Sequence, residues 1–218
     1  MELVPTNTDG FAVAENAGAS MIVGKMLKFA DGKFVADKTE TLPASTTLVA
    51  VNVATVWVRW QDSKPIEQRV THVGQSHPIR EELPDQDEAK WPPGLNDEPS
   101  DPWRDTRYLH LIDPNTGADY TFVTDSFGGR RAVGDLKQQI TNVRTAHPTA
   151  VPLVQLASVM WKTRFGQKPR PDFKIVGWRG KHDAAAGPGD GGGGGNGSAG
   201  NGSAKIAHAN DMDDHIPF

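Results

Sequence analysis

The sequence predicts a mainly β domain with one helix, followed by a disordered glycine-rich tail. Three observations carry that reading. Alternation of apolar and polar residues, the period of half-buried strands, recurs over 21–73, 106–124 and 151–178. Only one stretch, about 131–145, has apolar residues at helical spacing. The run from Gly187 to Ser203 is almost entirely Gly, Ser and Asn, and offers too little apolar burial to offset its backbone entropy. The expected organisation is one well-cored domain over 1–182 with an acidic proline-rich loop over 74–105, a disordered linker over 183–210 and an acidic tip over 211–218.

Met21–Phe29 reads as a strand closed by the turn Ala30-Asp-Gly-Lys33, and Phe34-Val35 begins a short return strand. After a bend over 39–46, Leu48–Trp60 is the most β-rich stretch. Val49, Val51 and Val53 alternate in one phase and Val56, Val58 and Trp60 in the other, which predicts a bulge near Ala54. Asp62-Ser-Lys-Pro65 turns the chain into Ile66–Val73. Over 74–105, prolines at 78, 84, 92, 93, 99 and 102 interrupt any regular element, so a long functional loop pinned by Trp91 and Trp103 is expected. Thr106–Thr124 is a hairpin about Asp113-Pro-Asn-Thr-Gly117. The helix from about Arg131 to Thr145 presents Val133, Leu136, Ile140 and Val143 on one stripe and stops at His147-Pro148. Val151–Lys162 is a strand, Phe165–Pro171 a basic loop and Phe173–Trp178 the closing strand. This order suits an OB-fold-like, partly closed antiparallel barrel plugged by a helix. A β-sandwich with one helix is the alternative.

The chain has no cysteine, which excludes disulfides, thiolate-bound zinc and thiol catalysis. No apolar run approaches the roughly 20 residues of a membrane span, and the first residues lack the basic and apolar parts of a signal peptide. A cytoplasmic protein that does not engage a membrane is expected. The net charge of −4 conceals a strong segregation. Glu81–Asp105 carries nine acids against two bases, whereas Arg107–His182 carries twelve bases against five acids. Such a basic half fits a polyanionic partner.

No catalytic constellation is found. The seven histidines form no HExxH or i, i+4 metal pair, and Ser126 is not in a Gly-x-Ser-x-Gly elbow. The acids of Glu81–Asp105 are irregularly spaced among prolines and fit a solvated loop better than a magnesium site. The expectation is a non-enzyme without metal or cofactor. Single-strand binding needs cations for phosphates and rings for bases on one surface, and three places supply both. With Val56 and Val58 read as inward-facing, Trp57 and Arg59 face outward; the alternative buries Trp57 and Trp60 alike. Tyr108 lies opposite Leu109 and Leu111, and Phe127-Gly-Gly-Arg-Arg131 brings Arg130 and Arg131 to a helix start whose backbone N–H groups can hold a phosphate. In Trp161–Arg170, a hairpin would project Lys162, Arg164, Lys168 and Arg170 together into a groove; a solvated basic loop is the alternative.

The last eight residues are Asp211-Met-Asp-Asp-His-Ile-Pro-Phe218. Asp211, Asp213 and Asp214 precede an apolar tip of Ile216, Pro217 and Phe218, a pattern suited to capture by a partner with a basic-rimmed apolar pocket. This tip, with the glycine-rich linker before it, resembles that of bacterial single-stranded DNA-binding proteins, which end in Asp-Asp-Asp-Ile-Pro-Phe. His215 stands where that family has a third aspartate. The body lacks the family's Gly-Asn-Leu-Gly-like opening turn, so no DNA-contacting residue carries over. The resemblance implies a phage or bacterial protein that coats single-stranded DNA and recruits replication, recombination and repair proteins through its tip; the sequence leaves open whether it is a homo-oligomer. An interaction protein that uses the tip to engage such partners without binding DNA is the alternative.

Overall fold

In the computed structural model, residues 21–94, 97–144, 146, 148–163 and 166–179 are described. The chain divides after Pro188, and the second unit lies outside the described residues, as do the expected linker and tip. The turn Asp31-Gly32, with φ of 50° and 79°, folds β1 (Lys25–Ala30) onto β2 (Lys33–Ala36), supplying the left-handed backbone at both positions that a type I′ hairpin turn needs. A short β3 (Glu40–Leu42) adds to β2. The long β4 (Thr47–Gln61) turns at Asp62-Ser63 into β5 (Lys64–Val70). A connection carrying two single 3₁₀ turns leads to β6 (Trp103–Ile112), which forms the expected hairpin with β7 (Asp119–Thr124). Helix α1 (Phe127–Arg144) and the hairpin of β8 (Val151–Thr163) and β9 (Gly166–Arg179) complete the fold.

The result is mainly β with one helix, as expected: a nine-stranded sheet curled into an open half-barrel. Its order is β3-β2-β1-β7-β6-β4-β8-β9, with β5 also on β4. One pair departs from the antiparallel expectation, since β1 runs parallel to β7 from Lys25↔Tyr120 to Leu27↔Phe122. Gly24, at φ +68°, makes that pairing possible, because a Cβ there would overlap the Asp119 backbone. Strand β4 organises the sheet. It pairs with β6 from Val49 to Arg59, with β8 at Thr47–Val49 and with β5 at Val56–Gln61. Its bulge falls at Val51, between Ala50 and Asn52, and a second register shift falls at Arg59/Trp60. The bulge expected near Ala54 is thus misplaced by a few residues; the phase change of the valines marks the bend without locating its extra residue.

Inside the half-barrel, Phe34, Leu48, Leu109, Phe122, Leu136 and Phe173 form one buried cluster, with the Phe122 and Phe173 rings edge-to-face at 5.2 Å. Helix α1 closes it with Ala132, Val133 and Leu136. The helix starts four residues before its expected position. Ser126 caps it: its Oγ accepts from the Gly129 N–H at 3.1 Å, and its carbonyl accepts from the Arg130 N–H at 2.9 Å. The glycine pair is therefore helical backbone rather than a phosphate-holding turn, and the Gly129 N–H is already used. A Cβ on Gly129 would collide with the Thr124 side chain, 2.8 Å from its Cβ. Gly129→Ala is accordingly expected to destabilise by roughly 1–3 kcal/mol through overpacking, against the usual gain for such a change in a helix. A raised midpoint in thermal melting would contradict this close approach.

The basic loop expected over 165–171 is mostly strand. Pro169 pairs opposite Met160 and Pro171 opposite Ser158. Two prolines are tolerated because β9 lies at the edge of the sheet, where a missing N–H need not break a ladder bond.

Candidate nucleic-acid interface

The expectation that Trp57 and Arg59 face solvent is overturned. Val56 and Val58 are buried as expected, but the opposite face of β4 is also covered, by the acidic proline-rich connection. Trp57 is 9% exposed, packs on Leu83 and Trp103, donates from Nε1 to the Pro78 carbonyl at 2.9 Å and stacks on His77 at 5.5 Å. Asp85 is the hub of this cover. Its carboxylate takes the Arg59 guanidinium in a two-pronged pair (2.7 and 3.2 Å) and the Trp103 indole N–H at 3.0 Å. Its carbonyl accepts from Trp91 Nε1 at 2.7 Å and Arg80 Nη2 at 2.9 Å. The Arg59 hydrogen bond, against an opposing effect of burial, holds the Asp85 carboxyl below its usual value. Asp85 itself sits at φ 63°, a left-handed position that Asp tolerates better than most residues. Arg80 adds a two-pronged pair with Asp101 at 2.6 and 2.9 Å. Trp103 pins the loop to the sheet, as the sequence suggests, whereas Trp91 contacts Asp85 and Arg80 within the loop itself.

A second network lies beside it. Asp105, 10% exposed at its side chain, accepts from Arg107 through both oxygens, from Arg130 Nη1 at 2.5 Å and pairs with His77 Nε2 at 3.0 Å. Burial pushes the Asp105 carboxyl up, but the Arg107 hydrogen bond and charge, then Arg130, outweigh it and leave it below the ordinary value. Burial lowers the His77 pKa; Arg107 and Lys137 add to that, and together they outweigh the attraction of Asp105. A base with a depressed folded pKa contributes stability that is present above about pH 6.5 and lost as pH falls through the folded value. The melting temperature is therefore expected to drop on acidification from pH 7 to pH 5, and less so in His77→Gln. An equal drop in both proteins would remove His77 as the cause.

On the outer face of β6 and β7 lies a cleft of about 590 Å³. Phe29, Trp60 and Tyr108 supply rings to it, Lys28 a cation, and Thr106 and Ser126 hydroxyls. Tyr108 lines this cleft but is 9% exposed, so it is a wall rather than the open stacking platform expected. Burial, then the Asp125 charge, raises its phenol pKa and keeps it neutral near pH 7.

Immediately past Ser126, Phe127 is 59% exposed and its ring stacks on Trp161 at 5.5 Å and 10°. The α1 N-terminus packs against the β8–β9 hairpin here, where a Cβ on Gly128 would lie 3.1 Å from the Arg170 Cβ. Arg170 bridges to Asp135 of α1 at 3.5 Å. Arg131 is exposed and follows Phe127 by four residues, on the same side of the helix. Register settles the hairpin cations. Trp161 lies opposite Lys168 and Val159 opposite Arg170, so Trp161, Lys168 and Arg170 share one face. Lys162 lies on the other face, opposite Gln167, so the expected projection of all these cations into one groove does not occur. Arg164 lies outside the described residues.

Two rings at these surfaces, Phe127 and Trp60, are not among the residues that the sequence singles out for binding. The Ser126 cap was the available signal: it makes Phe127 the first helical residue, on the opposite side of the wheel from Ala132, Val133 and Leu136. No helix among the described residues is long and apolar enough to cross a membrane. The chain matches no protein-family model, no curated protein and no solved structure.

Proposed function

We propose that this chain is a single-stranded DNA-binding protein without enzymatic activity, which binds through its half-barrel and recruits replication, recombination and repair proteins through Asp211, Asp213, Asp214, Ile216, Pro217 and Phe218. The observation that carries the reading is the exposed Phe127 ring stacked on Trp161, flanked by Arg131, Lys168 and Arg170. Flat rings beside cations serve bases and phosphates at once. The topology supports an OB type. Strands β4, β6 and β7 form a meander, α1 follows it, and β8 returns to β4 before β9. In that fold, oligonucleotides bind across the second and third strands and the loops joining strands one to two and four to five. Here those are the face of β6 and β7, the long acidic connection and the β8–β9 tip.

Titration of labelled poly-dT at two salt concentrations, followed by tryptophan fluorescence, tests the reading. Quenching that weakens with salt is expected. A second reading, an interaction protein that uses the tip without binding DNA, is favoured by the acidic cover over Trp57 and Arg59; absence of quenching at low salt would select it. The strand-binding reading also predicts that deleting 211–218 tightens binding of short oligonucleotides severalfold at low salt, where the tip's charge competes best. Equal affinities would limit the tip to recruitment.

A further inference from the structure

We propose that Arg107, Arg130 and Lys137 form a seat for a phosphate group on one flank of α1, with Asp105 as its fixed template. The proposal deepens the strand-binding reading and rests on it for the source of the phosphate. Arg130 and Lys137 lie two turns apart on one side of the helix, a flank distinct from that of Gly128 and Asp135, which meets Arg170. Asp105 gathers Arg107 and Arg130 onto one carboxylate, and His77 takes part through its ring nitrogen. One negative charge thus holds two guanidinium groups, and Lys137 is near enough to Arg107 to be repelled by it. Although Lys137 is exposed as a residue, burial and then the Arg107 charge lower its pKa.

The network is therefore short of negative charge. It is also short of an acceptor, since the Arg130 Nε is buried with no hydrogen-bond partner. A buried guanidinium N–H without an acceptor is costly, and a phosphate oxygen is the acceptor that the planar fork suits best. A second carboxylate would serve the same purpose in a purely structural network, and Asp105 is the only acid that the described contacts place on Arg107 or Arg130. Position connects the seat to the stacking pair. Phe127 and Arg130 are neighbours at i, i+3 on the helix surface. A nucleotide whose base lies on Phe127 has its phosphate beside Arg130.

Two measurements on the full-length chain test this. The first is the salt dependence of poly-dT affinity for the wild type, Lys137→Gln, Arg130→Gln and, as an exposed control on β9, Lys174→Gln. Each seat variant is expected to lower the log–log salt slope by about 0.7, the share of one phosphate contact on a single strand, and the control to leave it unchanged. The second is titration with inorganic phosphate against chloride at matched ionic strength, read by the His77 imidazole resonances. Phosphate is expected to shift them in the wild type and not in Lys137→Gln, a variant of an exposed side chain that should fold normally. Wild-type slopes in both seat variants would overturn the seat while leaving strand binding intact. A phosphate-dependent His77 shift in a protein that ignores poly-dT would retain the seat for free phosphate and overturn the strand reading. Neither response would overturn both.

Discussion

Replacing Asp85 with alanine is expected to release the 74–102 connection from the sheet and to lower stability by roughly 2–4 kcal/mol. The value sits toward the lower part of that for a broken buried pair because Arg59 and Asp85 are about a third exposed. Three costs coincide. Arg59 loses its carboxylate, the Trp103 indole loses its acceptor, and alanine is strained at φ 63°. Asp85→Asn keeps an acceptor and a tolerated left-handed backbone, and is expected to lose less. Hydrogen exchange over 74–102 and a red shift of tryptophan emission would report the release. Unchanged protection in the alanine variant would mean that the packing of Leu83 on Trp57 and Trp103, with the Trp57–Pro78 and His77–Asp105 hydrogen bonds, holds the cover alone. Under the proposed function the same substitution bares Trp57 and Arg59 and raises affinity for single strands. A released connection with lower affinity would instead make the cover part of the binding surface.

The other large effect concerns the stacked pair. Phe127→Ala is expected to weaken binding of short oligo-dT by about 1–3 kcal/mol, roughly 5- to 150-fold, if one base stacks there. Its thermal stability should change by no more than about 0.5 kcal/mol, because the ring is largely exposed. Phe127→Tyr should restore most of the affinity. Trp161→Ala should weaken binding similarly but also loosen the hairpin, so the phenylalanine variants carry the inference. Undiminished affinity in Phe127→Ala at both salt concentrations would remove the pair from the interface.

Much of the fold was legible because its strands obey simple alternation: the 106–124 hairpin and the Leu48–Trp60 strand lie where their periodicity places them, and the single helix contains its expected stripe but begins four residues earlier. The errors arise where a local pattern meets a tertiary contact. Trp57 and Arg59 follow Val56 and Val58 in perfect alternation, which reads as one buried and one exposed face. No strand pattern reveals that a loop 21 to 26 residues downstream in the chain will cover the second face. The 165–171 segment reads as a loop because its prolines exclude a central strand, yet they are allowed at an edge. Gly128-Gly129 resembles an anion-binding turn until the Thr124 side chain is seen to occupy the space of a Cβ. The candidate surface was legible in part: Arg130, Arg131, Lys168 and Arg170 stand out in the sequence by charge, whereas the exposure of Phe127 follows only from the position of a helix cap.

The three-way pairing of β4 has a consequence for the timing of synthesis. Thr47 and Leu48 find strand partners at Gln155 and Val154, and Val49, already paired with Ile112 on one edge, gains Leu153 on the other. About 90 residues must leave the ribosome after Gln61 before that edge can close, a wait of roughly 5–20 s at ordinary elongation rates. Throughout it, one edge of the first residues of β4 stands open to any other nascent chain. The β4–β5 and β4–β6 ladders can form in the meantime, but they leave that edge of Thr47–Val49 unpaired. A chain halted before residue 150 should therefore aggregate rather than rest as a stable half-domain, and slowing translation should lower the soluble yield of the complete protein.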